Sequence, residues 1–207
     1  MNFAELKTKA KAQIKGKIGI LFLISLIIAI LSAAASWLVG LIPVVGAALA
    51  PWVVAPAFAL SIIRIYLSMT AGVKPKVEDA FCGFDDYWAA IKVTFLVGVF
   101  TFLWSLLFII PGIIKGLSYS MSAYILAENK GKAALECINE SKAMTNGYKG
   151  ELFLLGLSFI GWLLLCVVTL GIASIWVSPY MQATYVNAYQ LLKSRVEAPA
   201  AEVIVAE

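Results

Sequence analysis

An all-α polytopic membrane protein is the fold this sequence predicts, and three observations carry the prediction. Hydrophobic residues make up 62 % of the chain and charged residues 14 %, against about 45–50 % and 25 % in soluble domains. Three blocks, 18–63, 93–127 and 152–192, are almost free of charge, the second interrupted only by Lys115. Each is about twice the roughly 20 apolar residues that one helix needs to cross a hydrocarbon core about 30 Å thick, so each reads as a hairpin of two spans. Backbone amides left unpaired in lipid are too costly, and the blocks lack the alternation of barrel strands, which leaves helices.

In order along the chain, Phe3, Leu6, Ala10 and Ile14 recur at helical spacing against lysines at 7, 11 and 15. That pattern predicts an amphipathic helix lying in the membrane interface. The first pair of spans is placed at about 18–39 and 46–68. Lysines ahead of an oily run reaching Ser32-Ala33-Ala34-Ala35 resemble a secretory leader, but Trp37, Leu38, Val39, Leu41 and Ile42 extend the run to spanning length. It therefore reads as a span that is kept.

A second amphipathic helix sets Val77, Ala80, Phe81, Phe84, Tyr87, Trp88 and Ile91 against Glu78, Asp79, Asp85 and Asp86, the i, i+3, i+4, i+7 stripe. Its spans fall at about 91–110 and 112–128. At 1.5 Å per residue the latter covers only about 25 Å, so it must stand upright, thin the bilayer or run past Glu128. A weaker third stripe, Ala134, Cys137, Ile138, Ser141, Met144 and Tyr148, precedes spans at about 151–169 and 172–193. The prediction is thus six transmembrane helices in three hairpins, each led by an interfacial helix, in one domain over 1–195. The tail 196–207, rich in Ala, Glu and Pro, is expected to be disordered. The plan repeats three times, and Ser118-Tyr119 before Tyr124 is echoed by Pro179-Tyr180 before Tyr185, with Pro56-Ala57 and Ile62 as a degenerate copy. Matches this short fit a triplicated unit and also fit chance.

Charge fixes the orientation. Lysines 7, 9, 11, 15 and 17, then 74 and 76, then 130, 132, 142 and 149, then Lys193 and Arg195, all fall on one side of a six-span arrangement. The positive-inside rule makes that side cytoplasmic, with both termini there. The opposite turns, around 40–46, 110–116 and 169–174, hold one charge between them, Lys115. Trp37, Trp52, Trp104, Trp162 and Trp176 lie near span ends and read as interface anchors or packing residues.

Much chemistry is excluded. The chain has no histidine, which removes imidazole metal sites, Ser-His triads and histidine proton shuttles. Its three cysteines have no CxxC spacing, and there is no Walker sequence, GxSxG or zinc-ligand helix. No catalytic residue, metal or cofactor is expected. The N-terminal lysines suit anionic lipid rather than nucleic acid.

The candidate ligand site is a groove between spans four and six. Lys115 is an ionisable group inside an apolar block, where a charge needs a reason, although its place near the outer end also suits snorkelling to water. Lys115, Ser118, Tyr119 and Ser122 form a polar stripe on span four; Ser178, Gln182, Tyr185 and Tyr189 form one on span six. Facing stripes make either a hydrogen-bonded seam or a wetted groove. Pro56 and Pro179 are expected to break or kink spans two and six, Gly112 and Gly116 to let span four pack closely, and Arg64 to snorkel to lipid. Phe81, Phe84 and Trp88 are the candidate partner-facing residues of the second interfacial helix.

The run Ile109-Ile110-Pro111-Gly112-Ile113-Ile114-Lys115, with Tyr119-Ser120-Met121 and Tyr124-Ile125-Leu126-Ala127, resembles an uncharacterised family of bacterial multi-pass membrane proteins, domain of unknown function 975, common in Gram-positive bacteria. Phe81-Cys82-Gly83-Phe84, Ser141-Lys142-Ala143-Met144, Gly147-Tyr148-Lys149, Leu157 to Trp162, Thr169 to Ile172 and Pro179-Tyr180 continue the likeness in order over about 80–190. The first hairpin matches only in character, and Thr145 and Ala173 depart from the family's usual Met and Gly. The resemblance implies six spans in a bacterial cell membrane and brings no reaction or ligand. Two functions fit these features: a non-enzymatic protein that binds or moves a small amphipathic or lipid molecule, and an accessory subunit that docks a membrane-protein partner, or a second copy of itself, through its cytoplasmic interfacial helices.

Overall fold

The computed structural model describes residues 2–40 and 46–205; the expected turn at 41–45 lies outside them, as do 206–207. The described chain is helical throughout: α1 (Phe3–Ile14), α2 (Ile18–Gly40), α3 (Gly46–Thr70), a 3-10 helix (Val77–Asp86), α4 (Tyr87–Leu107), α5 (Ile109–Tyr119), α6 (Ser122–Glu128), α7 (Ala134–Met144), α8 (Lys149–Leu157), α9 (Ile160–Val168) and α10 (Ser174–Val205). Among the described residues four stretches, Ile18–Leu38, Trp52–Thr70, Val77–Leu106 and Lys149–Val168, are long and apolar enough to cross a membrane. Large apolar side chains such as Ile30, Phe102, Leu106, Leu164, Val168 and Leu170 stand exposed along these helices and their turns, as lipid-facing surface does.

The three short leading helices pack on other helices rather than lying free. Leu6, Ala10 and Ile14 of α1 are buried, and the helix rests on α10, where Gln13 and Asn187 exchange two amide hydrogen bonds of 3.1 Å. Cys137, Ile138, Ser141 and Met144 of α7 are buried against α4, α5 and α6.

The second leading helix differs in kind from the sequence expectation. It is a 3-10 helix, and at three residues per turn Ala80, Gly83 and Asp86 share a face, which packs on α3. The α-helical stripe is thereby split, and Phe81, Phe84 and Trp88 are left 50 %, 41 % and 71 % exposed. Gly83 is needed at the contact: a Cβ there would sit 2.1 Å from the Ala57 carbonyl oxygen and 2.7 Å from the Ser61 nitrogen. Gly83→Ala is expected to cost about 1–3 kcal/mol by overpacking, read as a lower unfolding temperature in detergent. An unchanged midpoint would mean that the 3-10 helix is not clamped on α3.

Three further expectations are corrected. Pro56 and Pro179 lie inside the continuous helices α3 and α10, so neither breaks its span as the sequence allowed; one missing ladder bond does not end elements of 25 and 32 residues. Span four is instead two helices, α5 and α6, parted at 120–121, and span five is α8 and α9, parted at 158–159. Lastly, α10 runs to Val205, so 196–205 is helical where a disordered tail is expected; alanine and glutamate there are strong helix formers.

Candidate ligand cavity

Both helix breaks open onto one cavity of about 540 Å3, within the 300–1,000 Å3 usual for ligand pockets. Leu117, Ser120, Met121 and Tyr124 line it from α5 and α6, Leu152, Phe153, Gly156, Leu157 and Ile160 from α8 and α9, and Met181, Gln182 and Tyr185 from α10. None of the described lining residues is charged. The Gln182 amide and the Tyr124 and Tyr185 hydroxyls make no hydrogen bond among the described residues, so three polar groups remain for a ligand. Phe153, Leu157 and Ile160 on its flank are each close to half exposed, which gives the cavity an apolar rim.

The breaks are held by residues from the leading helices. At the first, the Ser141 hydroxyl accepts from the Met121 amide at 3.2 Å and donates to the Ser118 carbonyl at 2.8 Å. The Thr145 hydroxyl adds a 3.3 Å contact to the same carbonyl. At the second, the Lys7 ammonium donates to the Ser158 carbonyl at 3.3 Å and lies 4.6 Å from the centre of the Phe159 ring. Burial, together with nearby Lys11, pushes the Lys7 pKa down. Phe159 is fully buried and meets Tyr180 edge-on, with ring centroids 5.4 Å apart.

The predicted site residues divide. Gln182 and Tyr185 line the cavity; Tyr189, below them, stacks on Tyr124 and donates to the Glu128 carboxylate at 2.6 Å. Ser178 is exposed elsewhere on α10. The span-four stripe is turned away from its expected partner. The Lys115 ammonium lies 4.5 Å over the Trp104 ring of α4, Tyr119 is buried beside Phe100, the Ser118 hydroxyl donates to the Ile114 carbonyl at 2.9 Å, and Ser122 is fully buried with its hydroxyl unpaired. Both α4 and α7 take this side of span four: Lys115 and Tyr119 lie against α4 and the Ser118 carbonyl accepts from Ser141 and Thr145 at α7, while the adjoining stripe 117, 120, 121 and 124 lines the cavity with α8 and α10. Gly112 fits against Ser105 of α4, where a Cβ would come within 2.8 Å of the serine Cα.

Sequence reasoning also misplaced Arg64. It is 9 % exposed and turned into the protein, donating from Nε to the Ala127 carbonyl at 3.2 Å, from Nη1 to the Cys82 carbonyl and from Nη2 to the Asp86 carboxylate. Asp86 also accepts from the Gly131 amide at 3.1 Å. Beside it, the Lys130 ammonium donates to the Asp85 carboxylate at 2.9 Å. The sequence put Lys149 and the 110–116 turn on opposite faces of the bilayer, yet Lys149 borders the same hollow as Ile110, Ile113 and Ile114. The break at 120–121 and α7, packed beside α5 and α6, bring α8 up to α5.

Among the described residues the chain is helical, and four of its stretches are long and apolar enough to cross a membrane, which is the architecture of a membrane protein. The family model described as protein of unknown function (DUF975) matches residues 1–115 and 106–196, and the chain belongs to that family. The match takes in the first pair of spans, which resembled the family only in character. Comparison with curated proteins and with solved structures gives no match.

Proposed function

We propose that this chain is a non-enzymatic integral protein of a bacterial cytoplasmic membrane that binds or moves a small amphipathic or lipid molecule in the cavity between α5–α6, α8–α9 and α10. The observation that carries this reading is an uncharged cavity at two interrupted helices, lined by three unpaired polar groups. Interrupted helices recur at membrane-transporter binding sites, and unpaired polar groups at depth are costly unless a ligand or water satisfies them. The topology proposed keeps both termini cytoplasmic.

A photoreactive palmitoyl probe supplied to expressing cells should label peptides around Phe153 and Tyr185. The double variant Tyr124→Phe with Gln182→Leu is expected to lower labelling about tenfold, since each lost hydrogen bond is worth about 0.5–1.5 kcal/mol, while the amount of monodisperse protein stays the same. Equal labelling of the variant and the parent would refute the reading.

A second reading, an accessory subunit, is favoured by Phe81, Phe84 and Trp88. They stay exposed beside a ring cluster in which Phe84 meets Phe58 edge-on at 5.1 Å and stacks on Tyr87 at 6.1 Å. Crosslinks from this face to a membrane protein that vanish when the three become serine would support it; crosslinks that persist would count against it.

A further inference from the structure

A second hollow of about 340 Å3 adjoins the main cavity and shares Leu117 and Phe153 with it as a common ridge. Ile110, Ile113 and Ile114 of α5 form its apolar side, and Lys149, the first residue of α8, closes its edge. Among the described residues no carboxylate lies within ion-pair distance of Lys149. The one charge at the paired hollows is therefore an unneutralised cation. Ile110, Ile113, Ile114, Phe153 and Leu157 are exposed around both openings, which suits entry from the hydrocarbon rather than from water.

Resting on the cavity reading above, we propose that the occupant is a diacyl phospholipid with an anionic headgroup, seated astride the Leu117–Phe153 ridge with one acyl chain in each hollow and its phosphate at Lys149. Two adjoining apolar hollows match two chains; a single-chain molecule would fill one and leave the other's apolar wall uncovered. Lysine binds phosphate as a compact point charge, and basic pockets between membrane helices hold anionic headgroups. The Gln182 amide and the two tyrosine hydroxyls supply donors for the glycerol ester oxygens, which would otherwise be desolvated without partners.

Native mass spectrometry of the delipidated full-length protein, titrated with a phosphatidylglycerol, a phosphatidylcholine of the same chains and the lyso form of the phosphatidylglycerol, tests the proposal. Phosphatidylglycerol is expected to bind about fivefold or more tighter than phosphatidylcholine, the ratio given by about 1 kcal/mol per lysine at an anionic surface. Lys149→Gln should abolish that preference, and Lys149→Glu should reverse it; the conservative Gln variant keeps the test valid if the Glu variant misfolds. The lyso form should bind more weakly than its diacyl parent, and Phe153→Ala, which removes the ridge, should erase that difference. Equal binding of the two headgroups overturns the anionic assignment, and equal binding of lyso and diacyl forms overturns the two-chain seat. Both results leave the cavity reading standing if Tyr124→Phe with Gln182→Leu still weakens binding. Binding that no cavity variant alters overturns both.

Discussion

Arg64→Leu is expected to destabilise the protein by about 3–5 kcal/mol, the usual cost of removing one partner from a buried ion pair. At about 2–4 °C per kcal/mol for a chain of this size, the unfolding midpoint in detergent should fall by on the order of 10 °C. The guanidinium joins three elements at once: it sits on α3, binds the Cys82 carbonyl and Asp86 of the 3-10 helix, and reaches the Ala127 carbonyl near the end of α6. Without it, an Asp86 carboxylate only 13 % exposed keeps the Gly131 amide but loses its cation. Arg64→Lys should recover part of the loss, because an ammonium keeps the charge but not the three-way fork. Arg64→Leu with Asp86→Leu should be milder than Arg64→Leu alone, since the stranded carboxylate is gone. A single variant as stable as the parent would show that the junction holds nothing together.

Arg64 also marks the boundary of what the sequence could tell. Hydropathy and helical spacing made the membrane-length helices and the leading helices legible, because period and length are local properties. Where the leading helices go is not local. A lone arginine near the end of an apolar run reads as snorkelling to lipid, and nothing in the neighbouring residues reveals that Asp86, more than twenty positions on, is brought back to meet it. The same holds for α7, whose stripe at 134, 137, 138, 141 and 144 was visible but whose partner was taken to be lipid. Gly83 was the available signal: a glycine in an otherwise good amphipathic helix often marks a close backbone approach, and here it admits the Ala57 carbonyl.

The cavity was half legible. Gln182 and Tyr185 stood out as polar residues deep in an apolar block, and they line it. Its opposite wall was misread by about one helical face, since Ser118 and Ser122 were assumed to look toward span six, whereas the Ser118 hydroxyl turns back to the Ile114 carbonyl and Ser122 is buried away from the cavity lining. A related seam shows what the breaks do. Where α3, α4 and α6 meet at Pro56, Leu60, Val93 and Leu126, the space left is only about 20 Å3. Where α5–α6, α8–α9 and α10 meet, it is about 540 Å3. A hollow of about 330 Å3 also lies between the continuous helices α2 and α3 and the 3-10 helix, so what sets the largest of these spaces apart is that both interruptions border it.

Ser141→Ala is therefore expected to act on the cavity as well as on stability. The serine hydroxyl closes the gap in the backbone ladder, accepting from the Met121 amide and donating to the Ser118 carbonyl, and it is fully buried, where water cannot take its place. A backbone group stranded by alanine costs about 1–3 kcal/mol; the Ser118 carbonyl is still reached by Thr145, so the loss is that of the Met121 amide, about 1–3 kcal/mol. Thr145→Val should cost less, about 1 kcal/mol, because the carbonyl it touches retains Ser141. The two variants also differ in where they act: Met121 lines the cavity, and its freed amide lets the first turn of α6 shift, so Ser141→Ala should reduce palmitoyl-probe labelling in the fraction that stays folded, whereas Thr145→Val should leave it near the parent level. If both variants lower stability equally and neither changes labelling, the break is an ordinary packing feature and the cavity does not depend on it.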